Sequence, residues 1–230
     1  MMLALIAAAL IPTQIAPPAD AKTVELIPTD DLWVYPHASD PQSDDYLRCW
    51  GAGGHSVGPE AQEGEISYSY LRFDVSGLPS GKLTAVKLVL THVANPGFTL
   101  DLAKASPLEV RPVSAAFSEK NWVFENVSSV APKGDKDSLY GWVAPNSLPE
   151  DGKEFTLEID LLKGPGGFAA ALAAAAKTQE MALALALTST IDPSSSGMRS
   201  VYKVFSKDGP KEKRPVLRLT YEGEMVAIIQ

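Results

Sequence analysis

The sequence predicts an all-β protein, an antiparallel β-sandwich of jelly-roll type with one short Ala-rich helix. Many short apolar segments with a period of two are separated by turns rich in Gly and Pro. FAAALAAAA is the one strong helix-forming stretch. Because all-β units of about 200 residues or more often form one domain, the chain of 230 residues is expected to fold as a single domain over residues 22–230.

The strands follow, in chain order, from the alternation of apolar and polar side chains. They are LWVY, DYLRCW, YSYLRFDV, KLTAVKLVLTHV, PLEVRPV, EFTLEIDLL, MALALALTST, RSVYKVFSK and RPVLRLTYE. MALALALTST is apolar on both faces, which predicts an inner strand. A long irregular span with two Trp separates PLEVRPV from EFTLEIDLL. Such spans are usually functional or packed over the end of a sheet.

Residues 1–21 have the pattern of a secretory signal peptide. The apolar run over residues 3–11 is too short to span a bilayer as a helix. Ala19-Asp20-Ala21 is an A-x-A cleavage site that would leave Lys22 at the mature N-terminus. The run lacks a preceding Lys or Arg, and a misassigned start or a short buried segment is the alternative. We expect a secreted protein, extracellular or at the cell surface, with no membrane span.

Charge and cysteine content exclude further classes. The net charge of −8 and the absence of a dense Lys/Arg cluster argue against binding to nucleic acid, which needs a basic face. Cys49 is the only cysteine, so no intramolecular disulfide forms. Alternation from Leu47 predicts that Cys49 faces the core.

No catalytic residues are predicted. His37, His55 and His92 lack metal-ligand spacing, and no G-x-S-x-G motif occurs. Any carboxylate pair for glycoside hydrolysis would be an arbitrary choice among 28 Asp and Glu residues. We therefore expect a protein that is not an enzyme, and a small polysaccharide lyase or hydrolase ranks last among the function classes.

Aromatic side chains with polar neighbours are the best material for a binding site. Sugar rings stack on exposed aromatic faces, and polar side chains bond the sugar hydroxyl groups. Trp and Tyr in loops are as often buried in the hydrophobic rim, which is the alternative for each of them. The predicted carbohydrate-binding residues are Arg48, Trp50, Tyr70, Arg72, Trp122, Tyr140 and Trp142.

A structural calcium ion is a further hypothesis. The runs at Thr29-Asp30-Asp31 and at residues 40–45 are rich in oxygen ligands of the kind that calcium prefers. Asp30 and Asp31 are therefore predicted metal ligands. Ordinary turns rich in Asp, Ser and Pro are the alternative.

Several segments occur in an order that resembles a known family. They are YLRFDVSGLPSGKLTAVKLVL, VRPVSAAFSEKNWVFEN, LEIDLL, ALALTST and VFSKDGPKEKRPVLRLTYE. The most specific elements are Leu71-Arg72-Phe73-Asp74, Ser118-Glu119 with Trp122 and Asn126 downstream, and Arg214-Pro215 leading into Leu217, Leu219 and Tyr221. Over residues 26–222 the chain resembles the DNRLRE domains, which are related to the family 96 carbohydrate-binding modules and the disaggregatase-related repeats.

The resemblance implies a secreted jelly-roll module that accompanies extracellular enzymes or cell-surface proteins, with polysaccharide binding in some relatives. Arg72 and Asp74 fall where the family keeps an Arg and an Asp, which implies an ion pair or hydrogen bonds to a neighbouring loop. The loop SSVAPKGDKDSLYGWVAPNSLPEDG is longer than is usual for the family. We expect a non-catalytic module that recognises an extracellular polysaccharide, with an extracellular enzyme or surface protein as a further partner. The alternative is a structural or adhesion module of the cell surface or extracellular matrix.

Overall fold

The computed structural model describes residues 21–35, 45–57, 66–120, 131–196 and 199–222. Within these ranges, eleven strands form two sheets that pack face to face. The predicted signal peptide lies outside the described residues except for its last position, Ala21.

The strands and helices have the following bounds. They are β1 (Lys22–Leu26), β2 (Asp30–Val34), β3 (Tyr46–Cys49), β4 (Tyr68–Asp74), β5 (Lys82–Val93), α1 (Leu100–Ala105), β6 (Leu108–Val113), β7 (Gly141–Val143), β8 (Glu154–Asp160), α2 (Phe168–Ala175), β9 (Ala182–Thr188), β10 (Tyr202–Phe205) and β11 (Val216–Glu222).

The predicted antiparallel β-sandwich is confirmed. One sheet has the order β1-β11-β5-β10-β3, with β8 paired to β5 as its sixth strand, and the other has the order β2-β4-β9-β6-β7. From β1 to β6, successive strands alternate between the sheets, which is the chain path of a jelly roll. As a result β2 and β3, which are consecutive in sequence, lie at the ends of different sheets.

Two α-helices are described where one was predicted. The helix α2 covers the Ala-rich stretch and buries Phe168, Leu172 and Ala175. The helix α1 has six residues. Thr99 caps its N-terminus, because the Thr99 hydroxyl accepts a hydrogen bond from the N–H of Leu102 at 3.3 Å. A six-residue helix shows too few turns for its periodicity to be read from sequence. Among the described helices, none has the length and apolar character that crossing a membrane requires.

The strand β9 has buried side chains on both faces, as predicted. Its leucines, at alternate positions, pack between the two sheets. Ala184 and Ala186 point the other way, into a second apolar cluster on the outer face of the five-stranded sheet. Cys49 lies in the core between the sheets as predicted, and its burial raises the pKa of its thiol.

The outer face of the five-stranded sheet carries a buried polar cluster centred on Arg111. The guanidinium of Arg111 donates to Glu109 at 2.8 Å and, through Nη1, to the carbonyl oxygens of Lys133 and Asp135 at 2.7 and 2.8 Å. The Glu109 carboxylate also accepts from Ser56 at 3.1 Å. These bonds attach two connections, the one before β7 and the one after β3, to strand β6.

His92 on β5 is the second buried ionisable group that organises the fold. Its Nε2 accepts the backbone N–H of Lys203 on β10 at 3.4 Å, and its ring packs against Phe98, Phe155 and Tyr202. Burial lowers the pKa of His92 from 6.5 to about 3, with a smaller contribution from the charge of Lys203. The imidazole is therefore neutral at physiological pH.

The Arg111→Met substitution is expected to lower the free energy of unfolding by about 3 kcal/mol, because it leaves the partly buried Glu109 carboxylate without its cation. Urea unfolding measures the change. The matched control is Arg218→Met, which removes an exposed pair with Glu25 and is expected to cost under about 1 kcal/mol. Equal losses of unfolding free energy in the two variants would contradict the conclusion that Arg111 holds the two connections on strand β6.

His92 is expected to contribute a loss of stability as the pH falls below neutral, and the raised pKa of Asp31 contributes with the opposite sign in the same range. Between its unfolded pKa of 6.5 and its folded pKa of about 3, only the unfolded chain binds the proton. Acidification from about pH 7.5 to about pH 5 therefore costs about 2 kcal/mol through this group. In urea unfolding at several pH values, His92→Phe should lose this component, whereas His55→Gln, at an exposed histidine, should keep it. Identical pH profiles for His92→Phe and the unmodified protein would refute the prediction.

Candidate functional site

An aromatic pocket opens where the edge strands β2 and β3 meet at one side of the sandwich. Its cavity has a volume of about 480 Å³. Strand β10, which pairs with β3, and the segment after β5 complete the wall. The described lining residues are Trp33, Tyr35, Arg48, Trp50, Asn95, Val201 and Lys203.

Strand alternation explains how the first wall forms. On β2, Trp33 points toward the core between the sheets, whereas Leu32 and Val34 point into the outer cluster. Tyr35 is two residues beyond Trp33 and therefore follows it on the same side. Trp50 comes directly after β3, where its backbone exchanges two hydrogen bonds with Ser67 at 3.3 and 3.1 Å.

The three aromatic rings contact one another in the pocket wall. Trp33 and Tyr35 are stacked, with centroids 5.3 Å apart and planes 14° apart. Trp50 is tilted against both, at 5.8 Å from Trp33 and 5.9 Å from Tyr35. Trp33 and Trp50 are largely buried and Tyr35 is half-buried. Mutual packing fixes the rings, so that a ligand would meet a preformed aromatic surface.

Two cations stand side by side in the same pocket. Arg48 on β3 and Lys203 on β10 are directly opposite each other in the antiparallel ladder. The Arg48 guanidinium lies 4.9 Å from the centroid of the Trp33 ring, and the Lys203 ammonium lies 3.8 Å from that of Tyr46. Cation–π contacts of this kind hold the two charges in place. Among the described lining residues, Arg48 and Lys203 are the charged ones.

The structure brings two of the predicted carbohydrate-binding residues together. Arg48 and Trp50 both line the pocket, although Trp50 is only 3% exposed. The sequence reasoning missed Trp33, Tyr35 and Lys203. The signal for Trp33 and Tyr35 was their spacing of two in DLWVY, which places both on one face of a predicted strand.

Tyr70 and Tyr140, predicted to offer their rings to a ligand, are both buried in the structure. Tyr70 is 0% exposed because the outer face of its sheet is covered, and its ring packs against Phe117. Tyr140 is 4% exposed and packs edge-on against Phe168 of α2. Trp142 is 51% exposed on the edge strand β7, apart from the pocket-lining residues. Trp122 lies outside the described residues.

Arg72 has a structural partner. Its guanidinium donates to Asp30 at 3.1 Å across the β2–β4 ladder and lies 3.8 Å from Glu180. The Asp74 carboxylate instead accepts the N–H of Ser76 at 2.8 Å, and bonds with Ser76 lower the pKa of Asp74. Arg72 lines a separate polar cavity of about 370 Å³ and does not reach the aromatic pocket. The predicted ion pair of Arg72 thus forms with Asp30 rather than with Asp74.

The two predicted metal ligands separate. Asp30 is engaged by Arg72, whereas Asp31, whose side chain is on the opposite face of β2, approaches Glu119 and Asp208. Burial raises the pKa of Asp31 to about 7, and the backbone N–H of Lys207 opposes the rise. The carboxylates of Glu119 and Asp208 come from segments that sequence proximity gave no reason to join to Asp31.

Neither the protein-family models nor the curated proteins contain a match to this chain. The resemblance to the DNRLRE domains stays a prediction. The function of the chain is therefore inferred from its fold and from the residues of the pocket.

Proposed function

We propose that the protein is a non-catalytic carbohydrate-binding module that recognises an extracellular polysaccharide through the aromatic pocket. The observation that carries the proposal is the presence of three mutually packed aromatic rings and two cations in the lining of one cavity at the edge of the sandwich. The pocket volume lies within the range of about 300–1,000 Å³ that is usual for ligand sites.

The rings supply the apolar part of sugar recognition. The axial C–H groups of a sugar ring are apolar and pack against an aromatic face, which removes both surfaces from water. Tyr35 is the most accessible of the three rings, and its stacking on Trp33 fixes its orientation. A ring held in this way loses little conformational entropy when a ligand binds.

Arg48 and Lys203 supply the polar part. Guanidinium and ammonium groups are donors without acceptor capacity, so they bond sugar hydroxyl or carboxylate oxygens. Asn95, whose Nδ2 donates to the carbonyl of Val201 at 3.2 Å, is a further polar residue in the lining of the cavity.

A polysaccharide screen tests the proposal. Affinity gel electrophoresis of the protein in a panel of neutral and acidic polysaccharides should show retardation by at least one of them. Tryptophan fluorescence should change with the same polysaccharide, because two of the four Trp residues line the pocket. Loss of stacking in Tyr35→Ala should weaken binding about tenfold, which corresponds to about 1.4 kcal/mol. Arg48→Gln should weaken it by a similar factor.

The matched control is Trp142→Ala. It removes a more exposed aromatic ring from a different edge strand and should leave binding unchanged. Loss of binding in Trp142→Ala but not in Tyr35→Ala would move the site to β7 and refute the pocket. Retardation by none of the polysaccharides would refute carbohydrate binding and favour the alternative, a structural or adhesion module.

A further inference from the structure

Three carboxylates from distant parts of the chain meet beside the start of β2. Asp31 belongs to β2, Glu119 to the connection after β6, and Asp208 to the turn between β10 and β11. One oxygen of each lies within 4.8 Å of the others. We call these residues the acidic triad. Oxygens that ligate one calcium ion at 2.3–2.6 Å are separated by distances of this size.

The buried member of the acidic triad has an unsatisfied oxygen. Asp31 is 0% exposed, and its Oδ2 accepts the backbone N–H of Lys207 at 2.6 Å. Its Oδ1 is buried and has no hydrogen-bond partner. A buried carboxylate oxygen without a partner is costly, because it has lost its water and gained nothing in return. This oxygen is an observation separate from the clustering of the three acids.

The ammonium group of Lys207 forms ion pairs with the other two acids, Glu119 and Asp208. Lys207 Nζ lies 3.1 Å from Glu119 Oε1 and 3.0 Å from Asp208 Oδ2. Glu119 is held in position by a second bond, in which its Oε2 accepts the backbone N–H of Asp31 at 3.2 Å. One positive charge thus faces three carboxylates, and its contacts leave the Asp31 Oδ1 atom unsatisfied.

We propose that the acidic triad binds a calcium ion, with Asp31 as the buried ligand and Lys207 as its competitor. The ligand set consists of oxygens alone, which suits a hard divalent cation. Calcium is favoured over magnesium because it tolerates longer and less regular ligand distances. On binding, the ion takes the position between the carboxylates, and the Lys207 ammonium moves out toward solvent.

The bound ion would join β2, the connection after β6 and the β10–β11 turn at one point. This proposal is independent of the proposed function, because the triad and the aromatic pocket share no residue. The two are nevertheless neighbours along the chain, since Asp31 precedes Trp33 on the same face of β2.

Isothermal titration with calcium and thermal unfolding in calcium or chelator test the proposal. The unmodified protein should bind one calcium ion and unfold at a higher temperature with calcium at about 1 mM, the upper end of the range for extracellular modules. Asp31→Asn and Asp208→Asn should each weaken binding at least about tenfold, because each removes a charged ligand. Asp208 is half-exposed, so its variant tests the site without disturbing the core.

Two further variants sharpen the test. Lys207→Met should bind calcium about tenfold more tightly, because its competing ammonium is gone. Lys213→Met, which breaks the pair with Glu154 instead, should bind as the unmodified protein does. Asp30→Asn should also leave binding unchanged, since Asp30 is engaged by Arg72.

Two results would overturn the proposal. One is the absence of calcium binding in the unmodified protein, which would mean that the triad and Lys207 form a closed ion-pair cluster. The other is an equal loss of binding in Asp30→Asn and Asp31→Asn, which would place the ion elsewhere on β2.

Discussion

The strand β9 imposes the constraint on which the rest of the fold depends. Its apolar side chains on both faces must be removed from water, so the five-stranded sheet needs cover on its outer side as well as on its inner side. The six-stranded sheet covers one face. Irregular segments cover the other face. Their backbone carbonyl groups are not paired in a sheet, and the buried Arg111 donates hydrogen bonds to two of them.

This cover has a direct effect on where ligands can bind. It buries Tyr70, so the outer face of the five-stranded sheet does not offer this ring to a ligand. The cluster of three aromatic rings lies instead at the side of the sandwich, beside β2 and β3, each of which is the last described strand of its sheet. The jelly-roll path itself therefore places the pocket, since it makes two consecutive strands end different sheets.

Periodicity sufficed to predict the elements whose burial is simple. The half-buried strand β8 is predicted by the alternation of apolar and polar residues. The strand β9, buried on both faces, is predicted by the absence of that alternation. The same rule misplaced Tyr70, because alternation says which side of a strand a residue faces but not what covers that side. Of the acidic triad, only Asp31 was predicted as a metal ligand from the sequence. Asp31 and Asp208 are brought together by tertiary contacts, which no local pattern records.

Cys49 gives the fold a practical property. The thiol is fully enclosed between the sheets, and the raised pKa keeps it in the unreactive protonated form. The native protein therefore has no cysteine that a thiol reagent can reach. A single cysteine introduced at a solvent-facing position such as Trp142 would be labelled alone, so a fluorophore or spin label can be attached at one chosen point without first mutating the core.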